Sequence, residues 1–439
     1  MTDPHRLTYP EAVRALTERG RFGISLGLDR VERLMAEVGR PDRSLRGALV
    51  GGTNGKGSVV AMTRSVLNAA GYRVGSMPKP HLVSYRERVA IDGEPISPSD
   101  FADAVARVLP AIDRVASQVG PPTEFEALTA AAITDLARRK VDLAIVEVGM
   151  GGRRDATNVL DLGVAAVTNV QHDHQAYLGS TLRAIGGEKA PIIKAGNLAV
   201  TGASGRGLRP ILDRCAVLAV PLRRAGPRQP YTARITSTGW DGIVADARTP
   251  ARRLSSLHVG LLGTHQADNL AVTLALLDAL VERWDIRVGE PALRDGLAAA
   301  HWPGRLELLD GAAVGHARVL LDGAHNPAGA RALTRSLVDL GVRRPVIVFG
   351  AMRGKDVRGV LSALAALDPR FVFTRVDDPN AHDPAELARA WRRLGGTARI
   401  AADPLRALEI ATGDPVVVAG SLYLVGEVRG MITGTREEG

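Results

Sequence analysis

The chain has 439 residues, enough for two or three domains, and its 45% hydrophobic and 23% charged content is that of a globular protein with a large core. No apolar run approaches the roughly 20 residues needed to span a bilayer, the first residues read as no signal peptide, and a lone cysteine, Cys215, leaves neither an internal disulfide nor a cysteine metal site, so a cytoplasmic protein is expected. A formal net charge of +9 admits nucleic acid, yet the arginines are scattered and aromatics make up only 4%, so anionic small substrates account for it equally well.

In chain order, Tyr9 to Val38 shows helical apolar spacing broken at Phe22–Leu28. A short apolar run, Ala48-Leu49-Val50, then leads into Gly51-Gly52-Thr53-Asn54-Gly55-Lys56-Gly57-Ser58, and Val59, Val60, Val66 and Leu67 continue at helical spacing. Strand, glycine loop and helix in that order build a phosphate cradle, with main-chain N–H groups and the positive helix end aimed into one concave space. Lys56 would reach the terminal phosphates and the Ser58 hydroxyl would ligate Mg²⁺, although Gly57 breaks the strict lysine–serine adjacency. The plainer alternative is a glycine turn that packs helix on strand.

Helices are expected over Asp100–Val119 and from Thr123 to Arg139, then a buried strand, Leu143–Val146, ending in Glu147. A glycine-rich loop through Asp155 follows, and a further strand, Val164–Thr168, which leads to His172-Asp173-His174. Polar residues at the ends of strands that alternate with helices indicate a parallel sheet whose ligands bind at the carboxyl ends. The stretch near 196–260 reads instead as antiparallel hairpins, before helices over Gln266–Arg283 and Pro291–Ala300. Beyond a boundary at Trp302–Arg305 the alternation resumes, with strands at Val319–Leu321, Val346–Phe349, Phe371–Phe373 and Pro415–Ala419. The fold class is therefore α/β: an N-terminal P-loop-type doubly wound domain, 1–300, and a smaller C-terminal Rossmann-like α/β domain, 301–439.

Glu147 is placed to hold Mg²⁺ opposite Ser58, or to cap the glycine loop behind it. His174 completes a metal shell, or is a core or loop histidine. Lys189 reads as a solvated lysine or half of a surface ion pair. Asp322 and His325 form either a strand-end site or a helix-capping turn before Asn326-Pro327, and Arg305 either meets phosphates or lies on the surface.

Taken together, the motifs resemble the folylpolyglutamate synthase/dihydrofolate synthase family of the Mur ligase superfamily. Ser25-Leu26-Gly27-Leu28-Asp29-Arg30 is similar to its N-terminal GLxR motif, Gly52–Ser58 to its GTNGKGS loop, and Pro80-His81-Leu82 with Arg86-Glu87-Arg88-Val89 to its PHL…ERI stretch. Glu147–Asn158, Thr168–Gly179, Gly187–Lys194, Gly263–Asn269, Pro303-Gly304-Arg305, Asp322–Pro327 and Gly420–Glu427 follow in the family's order. The resemblance implies a Mur-type central domain and a C-terminal glutamate-ligase domain, an ATP-dependent amide ligase that adds L-glutamate to dihydropteroate, to reduced folates, or to both through an acyl phosphate, and a monomer. It implies Gly52, Thr53, Asn54, Gly55, Lys56, Gly57, Ser58, Asn269, Arg305, Asp322 and His325 for ATP, and Ser58, Glu147 and His174 for Mg²⁺. It also implies Lys56, Lys189 (as a carbamate) and His174 for catalysis, and His81, Thr123, Phe125 and Asp155 for the folate. Two departures stand out: Pro78-Lys79 where the family has hydroxyl residues before Pro-His-Leu, and Pro191 where it has glycine. A Mur-type ligase for a different carboxylate, and a nucleotide-binding module without ligase chemistry, are the alternative readings.

Overall fold

The computed structural model describes residues 7–19 and 27–435; Ser25 and Leu26, and most of the break at 22–28, lie outside them. Helices α1 (Tyr9–Thr17) and α2 (Asp29–Glu37) precede β1 (Gly47–Gly51), α3 (Lys56–Ala69) and β2 (Val74–Met77). Two short strands, β3 (Ala90–Ile91) and β4 (Glu94–Pro95), lead to α4 (Pro98–Val119) and α5 (Glu124–Arg138). Next come β5 (Leu143–Glu147), β6 (Gly163–Val167), α6 (Gln175–Leu178), α7 (Leu182–Lys189), β7 (Leu198–Thr201), α8 (Gly205–Leu218) and β8 (Leu222–Arg224). These strands form one sheet in the order β4-β3-β2-β5-β1-β6-β7-β8, parallel except at β3 and β4.

The strands are buried on both faces, and their side chains divide by alternation. Leu49, Ala144, Val146, Ala165 and Val167 pack beneath α1, α2, α4 and α5, whereas Ala48, Val50, Ile145, Val164 and Ala166 pack beneath α3 and α9 (Gln266–Trp284). Local sequence sets the helix starts: Thr8 with Glu11 and Thr123 with Glu126 form reciprocal capping boxes, and Ser97 caps α4 just before Pro98.

A three-stranded antiparallel sheet, β9 (Thr232–Gly239), β10 (Gly242–Arg248) and β11 (Arg253–Val259), packs against α9. The expected hairpin region near 196–260 is thus corrected at its start. Residues 198–224 are a strand–helix–strand unit of the large parallel sheet, and the hairpins begin only at Thr232. The turn residues there punctuate a helix rather than hairpins, with Ala219 ending α8 in the left-handed region.

After α10 (Glu290–Ala298) a second sheet forms from β12 (Glu307–Asp310), β13 (Arg318–Asp322), β14 (Val346–Phe349), β15 (Arg370–Phe373), β16 (Ala398–Ile400) and β17 (Val416–Ala419). Its order is β12-β13-β17-β14-β15-β16, with only β12 antiparallel. Helices α11 (Pro327–Asp339), α12 (Val357–Leu364) and α13 (Pro384–Arg392) cover one face over Phe349, Phe371 and Phe373. Helices α14 (Pro404–Ile410) and α15 (Leu422–Thr433) cover the other over Val319, Leu321 and Val348.

The two sheets meet along a seam of close approaches. A Cβ on Gly426 of α15 would lie 1.8 Å from the Leu82 carbonyl oxygen, one on Gly304 2.9 Å from the Leu82 side chain, and one on Gly57 of α3 2.5 Å from the Trp302 ring. Bare backbone at these points lets the loop after β2 and the start of α3 touch the second half.

Candidate active site

The glycine loop joins β1 to α3, with Gly55 in the left-handed region (φ 79°) as the residue before the helix. A side chain on Gly55 would come 2.2 Å from Asn269 Oδ1, and one on Gly52 1.9 Å from Thr168 Oγ1. The loop is held from the end of β6. The Asn169 carbonyl accepts from the Thr53 N–H (3.0 Å), Asn169 Oδ1 from the Asn54 N–H (3.0 Å), and the Asn54 carbonyl from Thr168 Oγ1 (2.6 Å). Gln171 adds exchanges with the side chains of Thr53 and Asn54.

Two ammonium groups close over this loop. Lys56 Nζ donates to the Gly52 and Thr53 carbonyls (3.3 and 3.1 Å), and Lys189 Nζ donates to the Gly52 carbonyl at 2.9 Å. Lys189 is buried at the last turn of α7, which corrects its bottom-up reading as a solvated lysine. Burial, with the Lys56 charge beside it, pulls its pKa down to about 7. Ser58 is buried in the first turn of α3, and its hydroxyl accepts from Gln266 Nε2 at 3.3 Å. Gln266 in turn accepts from Asn269 Nδ2 at 2.8 Å, so the start of α9 braces the loop from the opposite side to β6. Sequence reasoning gave Gln266 no role; its signal is the polar quartet Gly263–Gln266 directly before a long apolar helix.

Glu147 ends β5, beside β1 in the sheet. It is buried, and its Oε2 has no hydrogen-bond partner within the chain. Burial raises its pKa, opposed by Lys56, Lys79, Arg305 and Arg88. An orphaned buried carboxylate oxygen is a hard donor of the kind that suits Mg²⁺. His174, by contrast, is exposed; it precedes α6 with a left-handed backbone (φ 47°), and its Nε2 lies 3.7 Å from Asp173 Oδ2. Among the described residues no three His, Cys, Asp or Glu side chains gather as a ready-made metal cluster.

The loop after β2 borders the site on the next strand over. His81 Nδ1 accepts from Arg88 Nε at 3.0 Å, its ring lies against Tyr85, and burial followed by the Arg88 charge lowers its pKa to about 3. Thr123 caps α5 through Glu126, which Arg30 Nε meets at 2.9 Å. Asp155 is buried and satisfied by the chain itself, its Oδ2 accepting from the Met150 N–H at 3.0 Å and its Oδ1 from the Thr157 N–H and hydroxyl. Lys79, one of the departures noted before Pro80-His81-Leu82, lies here, its Nζ 4.1 Å from the Phe125 ring centroid and 3.9 Å from Asp155 Oδ1.

The second sheet supplies the far wall. Asp322 Oδ2 accepts from the Leu306 N–H and its Oδ1 from the Ala324 N–H (both 2.9 Å), which fixes the turn after β13. His325 Nδ1 pairs with the Gly323 carbonyl at 2.8 Å, and burial lowers its pKa to about 4. Arg305 is half-buried, and a side chain on Gly323 would collide with its guanidinium. Burial lowers the Arg305 pKa, while the Asp322 and Glu147 carboxylates oppose the drop, so charges from both sheets act on one space. Lys355, in the loop after β14, is a cation that sequence reasoning passed over; its charge depresses both His174 and His325 beyond the larger effect of their burial. No helix among the described residues is long and apolar enough to cross a membrane.

Comparison with known proteins follows the same division. Residues 102–277 match the family described as Mur ligase middle domain, and residues 304–422 the Mur ligase glutamate ligase domain. The chain is 32% identical to the dihydrofolate synthase/folylpolyglutamate synthase of Bacillus subtilis over 437 residues, 96% of this chain and 98% of that protein. It superposes on the folylpolyglutamate synthase of Mycobacterium tuberculosis complexed with ADP at a TM-score of 0.87, with 32% identity, covering 97% of this chain and 98% of that one. The Escherichia coli protein solved with DHPP and ADP gives a TM-score of 0.84 at 29% identity, covering 96% and 98%.

Proposed function

The chain belongs to the folylpolyglutamate synthase/dihydrofolate synthase family, an ATP-dependent glutamate ligase of folates, and on that premise we propose how its residues divide the work. The acceptor is dihydropteroate, a reduced folate, or both, and its partners are ATP and L-glutamate. An oxygen of the acceptor carboxylate attacks the γ-phosphorus of ATP, the bond to the β-phosphate oxygen breaks, and ADP leaves. The glutamate amine, having given up its proton, adds to the acyl phosphate carbon, and the tetrahedral intermediate expels phosphate to leave an amide.

The main-chain N–H groups of Gly52–Ser58 hold the phosphates, and Lys56 meets the charge that builds on the transferred γ-phosphoryl. Its ammonium rests on the Gly52 and Thr53 carbonyls of the same loop, from which it would turn to the phosphates. Asn269 packs on Gly55, while Arg305, Asp322 and His325 reach ATP from the second half. Ser58 and Glu147, with His174, would hold a Mg²⁺ ion, which would neutralise phosphate charge when bound. The orphaned Glu147 Oε2 supports that assignment. We read Lys189 as a carbamate: burial lowers its pKa to about 7, so part of it is unprotonated near neutral pH, and that amine can add to CO₂ and lose a proton from nitrogen to give an anion. His81, Thr123, Phe125 and Asp155 line the folate side.

We divide the chain into 1–300 and 301–439 and read chemistry as confined to the closed arrangement of the two, because Arg305 and Glu147 act on each other across the seam. A monomer fits the exposed large apolar side chains, Val119, Tyr177, Val217, Val338, Ile400, Leu405 and Tyr423, which lie on seven different elements. A reduced, buried Cys215 fits the cytoplasm.

The observation that carries this reading is the convergence of Lys56, Lys189 and the orphaned Glu147 around one glycine loop. It is tested by phosphate release from ATP with Mg²⁺ and glutamate, using dihydropteroate or tetrahydrofolate, with Lys56→Ala as the blank. Release that requires both glutamate and an acceptor is expected; silence with both acceptors from protein that binds ADP would overturn it.

A further inference from the structure

The crossing between the two halves is short, running from Trp302, packed on Gly57 of α3, to Glu307, the first residue of β12. Within it Gly304 (φ 68°) and Leu306 (φ 48°) both take left-handed backbone, and Arg305 stands between them. That conformation is unfavourable for leucine and persists only where neighbours hold it. Leu306 is held by Asp322, whose Oδ2 accepts its N–H at 2.9 Å. Gly304 is held twice: its carbonyl accepts from the Gly323 N–H at 2.9 Å, and its N–H donates to Glu307 Oε2 at 2.8 Å. The Glu307 side chain is 1% exposed; both its oxygens accept from Arg429 Nε of α15 at 3.1 Å, and His301 Nε2 lies 3.2 Å from Oε1. A buried polar network with its acceptors satisfied is rigid. The Arg305 guanidinium, by contrast, has among the described residues one hydrogen bond within the chain, to the Gly304 carbonyl at 3.5 Å. Its aim is set by the backbone that carries it.

We propose that Glu307 is a positioning residue: through the Gly304 N–H it fixes the backbone beside Arg305 and so holds the guanidinium at the phosphates of ATP. The proposal rests on the reading above that Arg305 reaches ATP. Glu307 ties the crossing to α15 through Arg429 and to the end of the first half through His301, while Asp322 ties the other side of Arg305 to β13. A guanidinium that meets a developing charge has to be in place before the charge develops, and a displacement of about 1 Å can cost on the order of a hundredfold in rate. A carboxylate that merely joined α15 to the crossing would contribute stability and leave turnover alone. The two roles therefore separate in kinetics.

The test measures phosphate release by the full chain, as kcat and KM for ATP with glutamate and the acceptor that the parent uses, alongside the melting temperature. The parent is compared with Glu307→Ala, Glu307→Gln, Arg305→Ala and the double variant of Glu307→Ala with Arg305→Ala. Well below its melting temperature, Glu307→Ala is expected to lose roughly tenfold to a hundredfold in kcat/KM for ATP. Glu307→Gln, whose amide oxygen still accepts from the Gly304 N–H, should recover most of that loss. The double variant should lose no more than Arg305→Ala alone, because a residue that acts through Arg305 then has nothing left to position. Parent-like turnover in folded Glu307→Ala, no recovery with glutamine, or losses that multiply in the double variant would overturn the proposal. If Glu307→Ala does not fold, Glu307→Asp replaces it in every comparison: it keeps the charge for Arg429 and His301 and withdraws it by one methylene from Gly304. Full activity in Arg305→Ala would overturn the ATP reading of Arg305 and the proposal with it. If the parent turns over neither acceptor, the ligase reading fails by itself. ATP binding by calorimetry across the same proteins then decides Glu307 by the same criteria, recovery with glutamine and no added loss in the double variant.

Discussion

The two rims of the site are built in opposite ways. On the phosphate side the backbone of the loop is tied down by the chain: Asn169, Thr168 and Gln171 hold it from one flank, and Gln266 and Asn269 brace it from the other. On the acceptor side, beside Phe125 and Asp155, the buried Lys79 Nζ has no hydrogen-bond partner within the chain. A triphosphate presents the same oxygens in every turnover, so its cradle is finished before it arrives. An acceptor that differs in length and charge is met by a group whose pairing it must complete.

That contrast is most sharply broken by Lys56→Ala. Phosphate release is expected to fall by on the order of a thousandfold, the range for losing one preorganised charge-stabilising group. Because the loop is held by other residues, the melting temperature should move little; a large drop would mean that the cradle depends on its ligand-binding lysine. Gly55→Ala comes next. It forces a positive φ on alanine and drives Cβ to 2.2 Å from Asn269 Oδ1. With strain of about 1–2 kcal/mol, ADP binding should weaken by roughly tenfold or more, measurable by calorimetry.

A smaller effect concerns pH. The folded-state pKa of Lys189 is about 7 against an ordinary 10.5, so between those values the unfolded chain binds a proton that the folded chain does not. Stability of the CO₂-free apoprotein should therefore rise with pH across that window and lose this contribution as pH falls toward 7. Lys189→Met should make the rise shallower in denaturant titrations; an unchanged slope would return Lys189 to the surface. The smallest expected effect lies outside both rims. Burial pushes the Cys215 thiol up to about 11, so iodoacetamide at neutral pH should leave ligase activity intact.

How much of this was legible in the sequence follows the same division. The phosphate loop, its strand and its helix could be read residue by residue, because glycine requirements and apolar periodicity are local. The strand-end positions of Glu147, Asp322 and His325 followed from the alternation of strands and helices. What escaped was non-local. Lys189 is buried because α7 packs its last turn against the glycine loop more than a hundred residues away, which no window around Gly187–Ala190 reveals. The hairpin expectation near 196 failed because proline, glycine and arginine are compatible with α8 once β7 and β8 pair at the edge of the large sheet. Lys79 was visible as a departure, but its position over Phe125 required the fold.

Leu82 carries one further implication. Its carbonyl oxygen lies where a side chain on Gly426 would sit, and its side chain fills the space beside Gly304, so three segments remote in sequence share one small volume. The constraint on Gly426 comes from the backbone at 82 and holds whatever side chain stands there, whereas that on Gly304 comes from the Leu82 side chain. Among descendants of this chain Gly426 should stay glycine, Gly304 should drift only where Leu82 shrinks, and a graft of the acceptor loop into a relative should succeed only where glycine faces it at the position of Gly426.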